Sequence, residues 1–167
     1  MNQLANKIMN EFLNVPFPIH CGLHAAMAMD DWIGDERELR KITRTKDVLE
    51  NWWEIPTDHL IKCMLALSYL DSAGIEFYLP AYMKAIIDEP KLFDEPGVRS
   101  NSWQVLFEML PDTEDQELMK YFNERFSKIS GSKKEVCVEF LELIAGSAEY
   151  DDHARKIAKE ALNNEFW

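Results

Sequence analysis

The chain is poor in glycine and in cysteine, with six glycines, none of them clustered, and three cysteines in 167 residues. Without a glycine-rich run there is no loop to cradle a phosphate, and the G-x-S-x-G nucleophile elbow is absent. Cys21, Cys63 and Cys137 are widely spaced. That excludes a dense disulfide framework, and reduced thiols in a cytoplasmic protein are the expectation. No apolar run approaches the ~20 residues of a membrane-spanning helix, so no membrane is expected among the partners. The first residues, Met1 to Lys7, lack the basic and apolar regions of a signal peptide. Cations are scarce relative to acids: 18 Lys and Arg stand against 30 Asp and Glu, a net charge of −12. Such a surface repels phosphate backbones, so nucleic acid is not an expected partner. The same charge speeds encounter with a cationic protein.

What is present is globular. Hydrophobic residues make up 47% and charged residues 29% of the chain, which excludes the disordered class. We expect residues 1–167 to form a single helical domain with its own core. Strand signals are few, whereas helical stripes and caps recur. The expectation is an all-α fold of about seven or eight helices in antiparallel packing. A first helix is predicted over 2–14, a second over 23–32 and a polar third over 35–43. A helix over 58–72, capped by Thr57, is apolar nearly all round and therefore central. Ser72-Ala73-Gly74 is predicted to end it. Pro80 is predicted in the first turn of a further helix reaching Asp88, which is expected to be central together with 58–72. Residues 90–102 read as a surface loop, and Trp103 to Leu110 as a short helix or strand. Asp112 is predicted to cap a helix to Ser130 with Leu118, Phe122, Phe126 and Ile129 as its stripe. Ser132-Lys133-Lys134-Glu135 has the capping-box pattern. A last helix carries Ala154, Ile157, Ala158, Ala161 and Leu162.

The middle of the chain holds Trp53-Glu54-Ile55-Pro56, then Ala66-Leu67-Ser68-Tyr69-Leu70, then Phe77-Tyr78-Leu79-Pro80-Ala81-Tyr82-Met83. Over about residues 52–88 this pattern resembles DUF6714, a bacterial family of unknown function. The resemblance carries no activity, cofactor or catalytic residue with it. Small acidic families of this kind are often similar to immunity proteins of interbacterial toxin systems, and the resemblance implies that role as an expectation.

The residues with chemistry to offer are few. His20, Cys21, His24 and His59 are potential metal ligands, with His59 and Cys63 on one helix face at i, i+4. Their spacing matches no standard zinc motif. A thiol nucleophile built from Cys21 or Cys63 with a histidine would further need an orienting acid and an oxyanion hole. No cofactor is expected. Asp30-Asp31, Asp35-Glu36 and Asp151-Asp152 are acidic pairs in positions that suit helix ends without further function.

The preferred expectation is a non-catalytic, cytoplasmic protein-binding module, in its most concrete form an immunity-type inhibitor of a cationic bacterial toxin. Its candidate contacts are Asp94 and Glu95 in the irregular loop and Glu114, Asp115 and Glu117 at a helix start. Trp52 and Trp53 are the candidate aromatic anchors. The alternatives are a small metal- or thiol-dependent enzyme using His20, Cys21, His24 and His59, and a structural module that oligomerises through one helical face.

Overall fold

Aspartates set the helix starts. The computed structural model describes residues 3–19, 21–93 and 102–167. Among them, ten α-helical and two 3-10 segments follow one another without a strand. Helices α1 (Gln3–Glu11), α2 (Leu23–Asp30) and α3 (Glu36–Lys46) come first. A 3-10 turn at Trp52–Glu54 leads to α4 (Thr57–Lys62), a 3-10 segment at Met64–Tyr69, and α5 (Ser72–Asp88). Then follow α6 (Pro90–Phe93), α7 (Ser102–Glu108), α8 (Gln116–Arg125), α9 (Ser132–Gly146) and α10 (Asp152–Leu162). Eight of these described helices have seven residues or more, so the fold is all-α as expected. Asp35, Asp71, Asp115 and Asp151 stand at N-caps and accept backbone N–H groups of the first turn. Each satisfies donors that a helix start otherwise leaves unpaired.

The centre of the core is α5, which contains the 80–88 segment expected there, whereas the 58–72 segment expected beside it is not one helix. Helix α5 buries 12 of its 17 residues and packs against α1, α4, α7, α8 and both 3-10 segments. Asp71 overrides the stop signal expected from Ser72-Ala73-Gly74: its carboxylate accepts the Gly74 N–H at 2.8 Å and starts a helix there. Pro80 consequently lies inside α5. An interior proline costs about 3 kcal/mol. Burial of Ile75, Phe77, Tyr78 and Leu79 around it, at roughly 1.5–3 kcal/mol each, exceeds that cost. The expected 58–72 helix splits at Cys63, and Leu65 and Tyr69 of its second half are exposed.

Three further ends differ in detail. Thr57 is the first residue of α4, behind Pro56, and its hydroxyl donates to Glu89 Oε1 at 2.8 Å. Asp112 makes a turn instead of a cap, accepting from the N–H groups of Glu114 and Asp115 at 3.0 and 3.2 Å. Ser132 is the first residue of α9, and Gly131, at φ 56°, occupies the cap position. Trp103 to Leu110 resolves to helix, as α7. The stripes of α1 and α10 bury Leu4, Ala5 and Ile8, and Ala154, Ile157, Ala158 and Ala161. One continuous hydrophobic cluster joins them.

Candidate functional site

The loop from α7 to α8 and the end of α10 form an acidic groove of about 750 Å³. Its construction starts at Pro111, which ends the α7 segment, and at the Asp112 turn, which presents Glu114 to solvent. Asp115 then caps α8 by accepting from the N–H groups of Glu117 and Leu118 at 2.8 and 3.2 Å. The far wall comes from Glu160 on α10 and Glu165 after it. Apolar lining is supplied by Phe107, which is 57% exposed, with Leu110 and Met119. Four carboxylates line the groove and no Lys, Arg or His does. Glu160 has a cation nearby, Lys156 Nζ at 3.7 Å, on an exposed face where such a pair holds weakly.

A buried ion pair anchors this region to the core. Arg125 on α8 is 7% exposed, with Nη2 2.9 Å from Glu108 Oε2. It also donates from Nε to the Leu70 carbonyl at 3.3 Å and from Nη2 to the Leu67 carbonyl. Ser68 Oγ donates to the other Glu108 oxygen at 2.6 Å. The guanidinium thus donates to two carbonyls at the end of the 3-10 segment while pairing with a carboxylate, the arrangement a buried charge requires. The last residue is tied in as well, since Trp167 Nε1 donates to the Met109 carbonyl at 2.7 Å.

Of the sequence-predicted contacts, Glu114, Asp115 and Glu117 are all exposed, and Glu114 lies in the groove. Asp94 and Glu95 lie outside the described residues. Trp52 requires a correction. It is fully buried, and its Nε1 donates to the Phe12 carbonyl at 2.9 Å, so it is a core residue with no face for a partner. Trp53 is half-buried and meets Trp52 edge to face at 5.6 Å. Sequence reading misses Asp112, Glu160, Glu165 and Phe107. Two distant segments meet to make the groove, and no periodicity signals that.

His24, Cys21 and Cys63 lie around a residue that sequence reading also misses, Asp47. Its side chain is 2% exposed. Oδ1 accepts from the His24 backbone N–H at 3.0 Å and lies 2.7 Å from His24 Nδ1. A carboxylate only accepts, so this contact puts the imidazole proton on Nδ1. His59 meets the His24 ring edge to face at 4.9 Å. Asp47 thereby joins the start of α2 to the end of α3, reinforced by the Gly22 N–H donating to Thr43 Oγ1 at 3.1 Å. Burial, with the Asp47 charge second, pushes the Cys21 and Cys63 thiols up to about 11. Burial raises the Cys137 thiol too. A catalytic thiolate needs the opposite shift, so at neutral pH these are packed thiols. His20 lies outside the described residues. Among those described, no three His, Cys, Asp or Glu side chains are placed to hold a metal ion, and no helix is long and apolar enough to cross a membrane.

The profile of DUF6714, a family of unknown function, matches residues 1–167. The chain belongs to that family, and the relation extends well beyond the 52–88 segment. No curated protein and no solved structure matches it.

Proposed function

Membership of a family without an assigned activity leaves the site as the guide, and we propose that this protein is a non-catalytic, cytoplasmic protein-binding module. Its most concrete form is an immunity-type inhibitor of a cationic bacterial toxin. The observation that supports this reading is the groove between the α7–α8 loop and α10, where four carboxylates surround an exposed Phe107 with no cation among the lining residues. The mechanism is occlusion. Asp112, Glu114, Glu160 and Glu165 steer and register a basic surface, and Phe107 with Met119 supplies short-range apolar contact. Glu117, on the first turn of α8, extends the acidic rim.

The test is a pull-down from the native host followed by co-expression with any toxin that a neighbouring gene proves to encode. The protein should bind that toxin and protect its host, and Glu114→Lys with Glu165→Lys should abolish protection while leaving the fold intact. Asp115 is left unchanged because its loss would remove the α8 cap, at about 0.5–2 kcal/mol. Folded protein that neither binds nor protects, or a charge-reversed variant that protects fully, would remove this reading.

A further inference from the structure

On the opposite charge logic, α3 is the cationic element of an acidic chain. It carries five Lys and Arg against two Glu, whereas the whole chain has 18 cations against 30 acids. The charges are sorted along its length. Asp30, Asp31, Asp35, Glu36 and Glu38 gather at and before its start with Arg37 among them, and Arg40, Lys41, Arg44 and Lys46 lie toward its end. All ten are exposed. Only Leu39 and Thr43 of α3 are buried, and α2 is its main neighbour, so the outer face is open.

Beside that face runs an apolar groove of about 610 Å³. Ile19, which is 82% exposed, lines it with Met29, Leu49 and Tyr69, and Arg40 and Arg44 stand on its edge. Immediately before α3 is Trp32, 96% exposed and at φ 64°. Its N–H bonds the Met29 carbonyl and the Ile33 N–H bonds the Ala28 carbonyl, both at 3.0 Å. This is the Schellman ending of α2, and Trp32 occupies the left-handed position that glycine fills without strain. A large aromatic there is strained and wet, and within its own chain it gains nothing by packing.

We propose that α3 and the loop before it form the face of a symmetric homodimer, with the two α3 helices antiparallel and each Trp32 seated in the groove of the other copy. The charge pattern selects the occupant. Within one chain Glu36 pairs with Arg40, Asp30 accepts from the Tyr69 hydroxyl and Asp35 caps α3. The helix still keeps an acidic end and a basic end, so a purely acidic or a purely basic partner would set like charge against one of them. A second copy across a two-fold axis sets the acidic end of each helix against the basic end of the other, the self-complementary geometry of the commonest oligomers. The net charge of −12 on each copy opposes approach. At 0.15 M salt a Debye length of about 8 Å screens that repulsion, while pairs in contact keep their attraction. The face shares no lining residue with the acidic groove at α7–α8, so this inference stands or falls apart from toxin binding.

Sedimentation velocity on the full chain near 0.15 M salt tests it. The wild type should sediment at twice 19.5 kDa. Arg40→Glu/Arg44→Glu and Asp31→Lys/Glu36→Lys should each sediment as monomers, and an equimolar mixture of the two should restore the dimer. Trp32→Gly should be monomeric with a melting temperature no lower than that of the wild type, which separates lost contact from lost fold. A wild type that stays monomeric up to its solubility limit would overturn the proposal. So would dimers that survive both charge reversals, or a mixture that remains monomeric.

Discussion

Replacing Gly22 with alanine probes the joint between α2 and α3 at its tightest point. A Cβ at position 22 would lie 2.0 Å from Asp47 Oδ2, 2.7 Å from Asp47 Cγ and 2.9 Å from Thr43 Cγ2. Neither neighbour is free to yield. Asp47 Oδ1 holds the His24 backbone N–H and the His24 ring, and Thr43 Oγ1 holds the Gly22 N–H. Overpacking of this kind costs about 1–3 kcal/mol, and each hydrogen bond to a charged group that is lost costs about 1.5–3 kcal/mol more. A net loss of about 3 kcal/mol follows if one such bond breaks, equivalent to a fall in Tm of about 6–12 °C for a chain of this size. Asp47→Ala removes the two nearest obstructing atoms and leaves Thr43 Cγ2, so in that background the Gly22→Ala penalty should shrink by about 1 kcal/mol or more, a coupling expected of residues in contact. Urea unfolding followed by far-UV circular dichroism on the four proteins of this cycle measures both terms. A Gly22→Ala variant with the parental midpoint, or a penalty undiminished by Asp47→Ala, would refute the placement of Asp47 against the start of α2.

Other predictions concern burial. Arg125→Met removes the cation that pairs with the part-buried Glu108 and a donor to the Leu67 and Leu70 carbonyls, and should destabilise by about 3–5 kcal/mol; parental stability in urea would show the ion pair to be solvated. Cys21, Cys63 and Cys137 should react with a thiol-specific disulfide reagent far more slowly in native protein than in denaturant, and fast native labelling of all three would contradict their burial. The raised Cys21 and Cys63 values carry a sign. The folded state keeps protons that the unfolded state gives up at 9.0. Their stabilisation is therefore full below pH 9 and declines as pH rises toward about 11, by up to about 1.4 kcal/mol per pH unit for each thiol. Cys63→Ala should make the alkaline fall in the urea midpoint shallower, and an unchanged slope would count against a perturbed thiol.

The parts of the fold legible in the sequence are those written in local terms. The stripes of α1 and α10 fall where their 3.6-residue period puts them, and Asp35 and Asp151 cap the helices they precede, as acidic residues at helix starts should. The centre was harder to read because two local signals conflict with tertiary packing. Gly74 and Pro80 both argue for an interruption, yet the Asp71 cap and burial on every side of α5 outweigh them. The site was less legible still. Asp47 looks like one polar residue in a polar stretch, and only the approach of residues 21–24 to the end of α3 makes it a buried capping group. Trp32 gives no hint in sequence of its left-handed backbone. Phe107 sits in an apolar run whose Val105, Leu106 and Met109 are buried, and nothing in its composition sets it apart from them.

On the proposed function, the acidic groove recognises a cationic protein by charge and holds it by apolar contact. Stopped-flow association with a cationic protein partner captured from the native host, followed across ionic strength, tests that most directly. As the Debye length shortens from about 30 Å at 0.01 M to about 8 Å at 0.15 M, the on-rate should fall steeply. Glu114→Lys/Glu117→Lys should lower the on-rate more than it raises the off-rate, and Phe107→Ala should do the reverse. An on-rate that is flat with salt and indifferent to the charge reversal would contradict the claim.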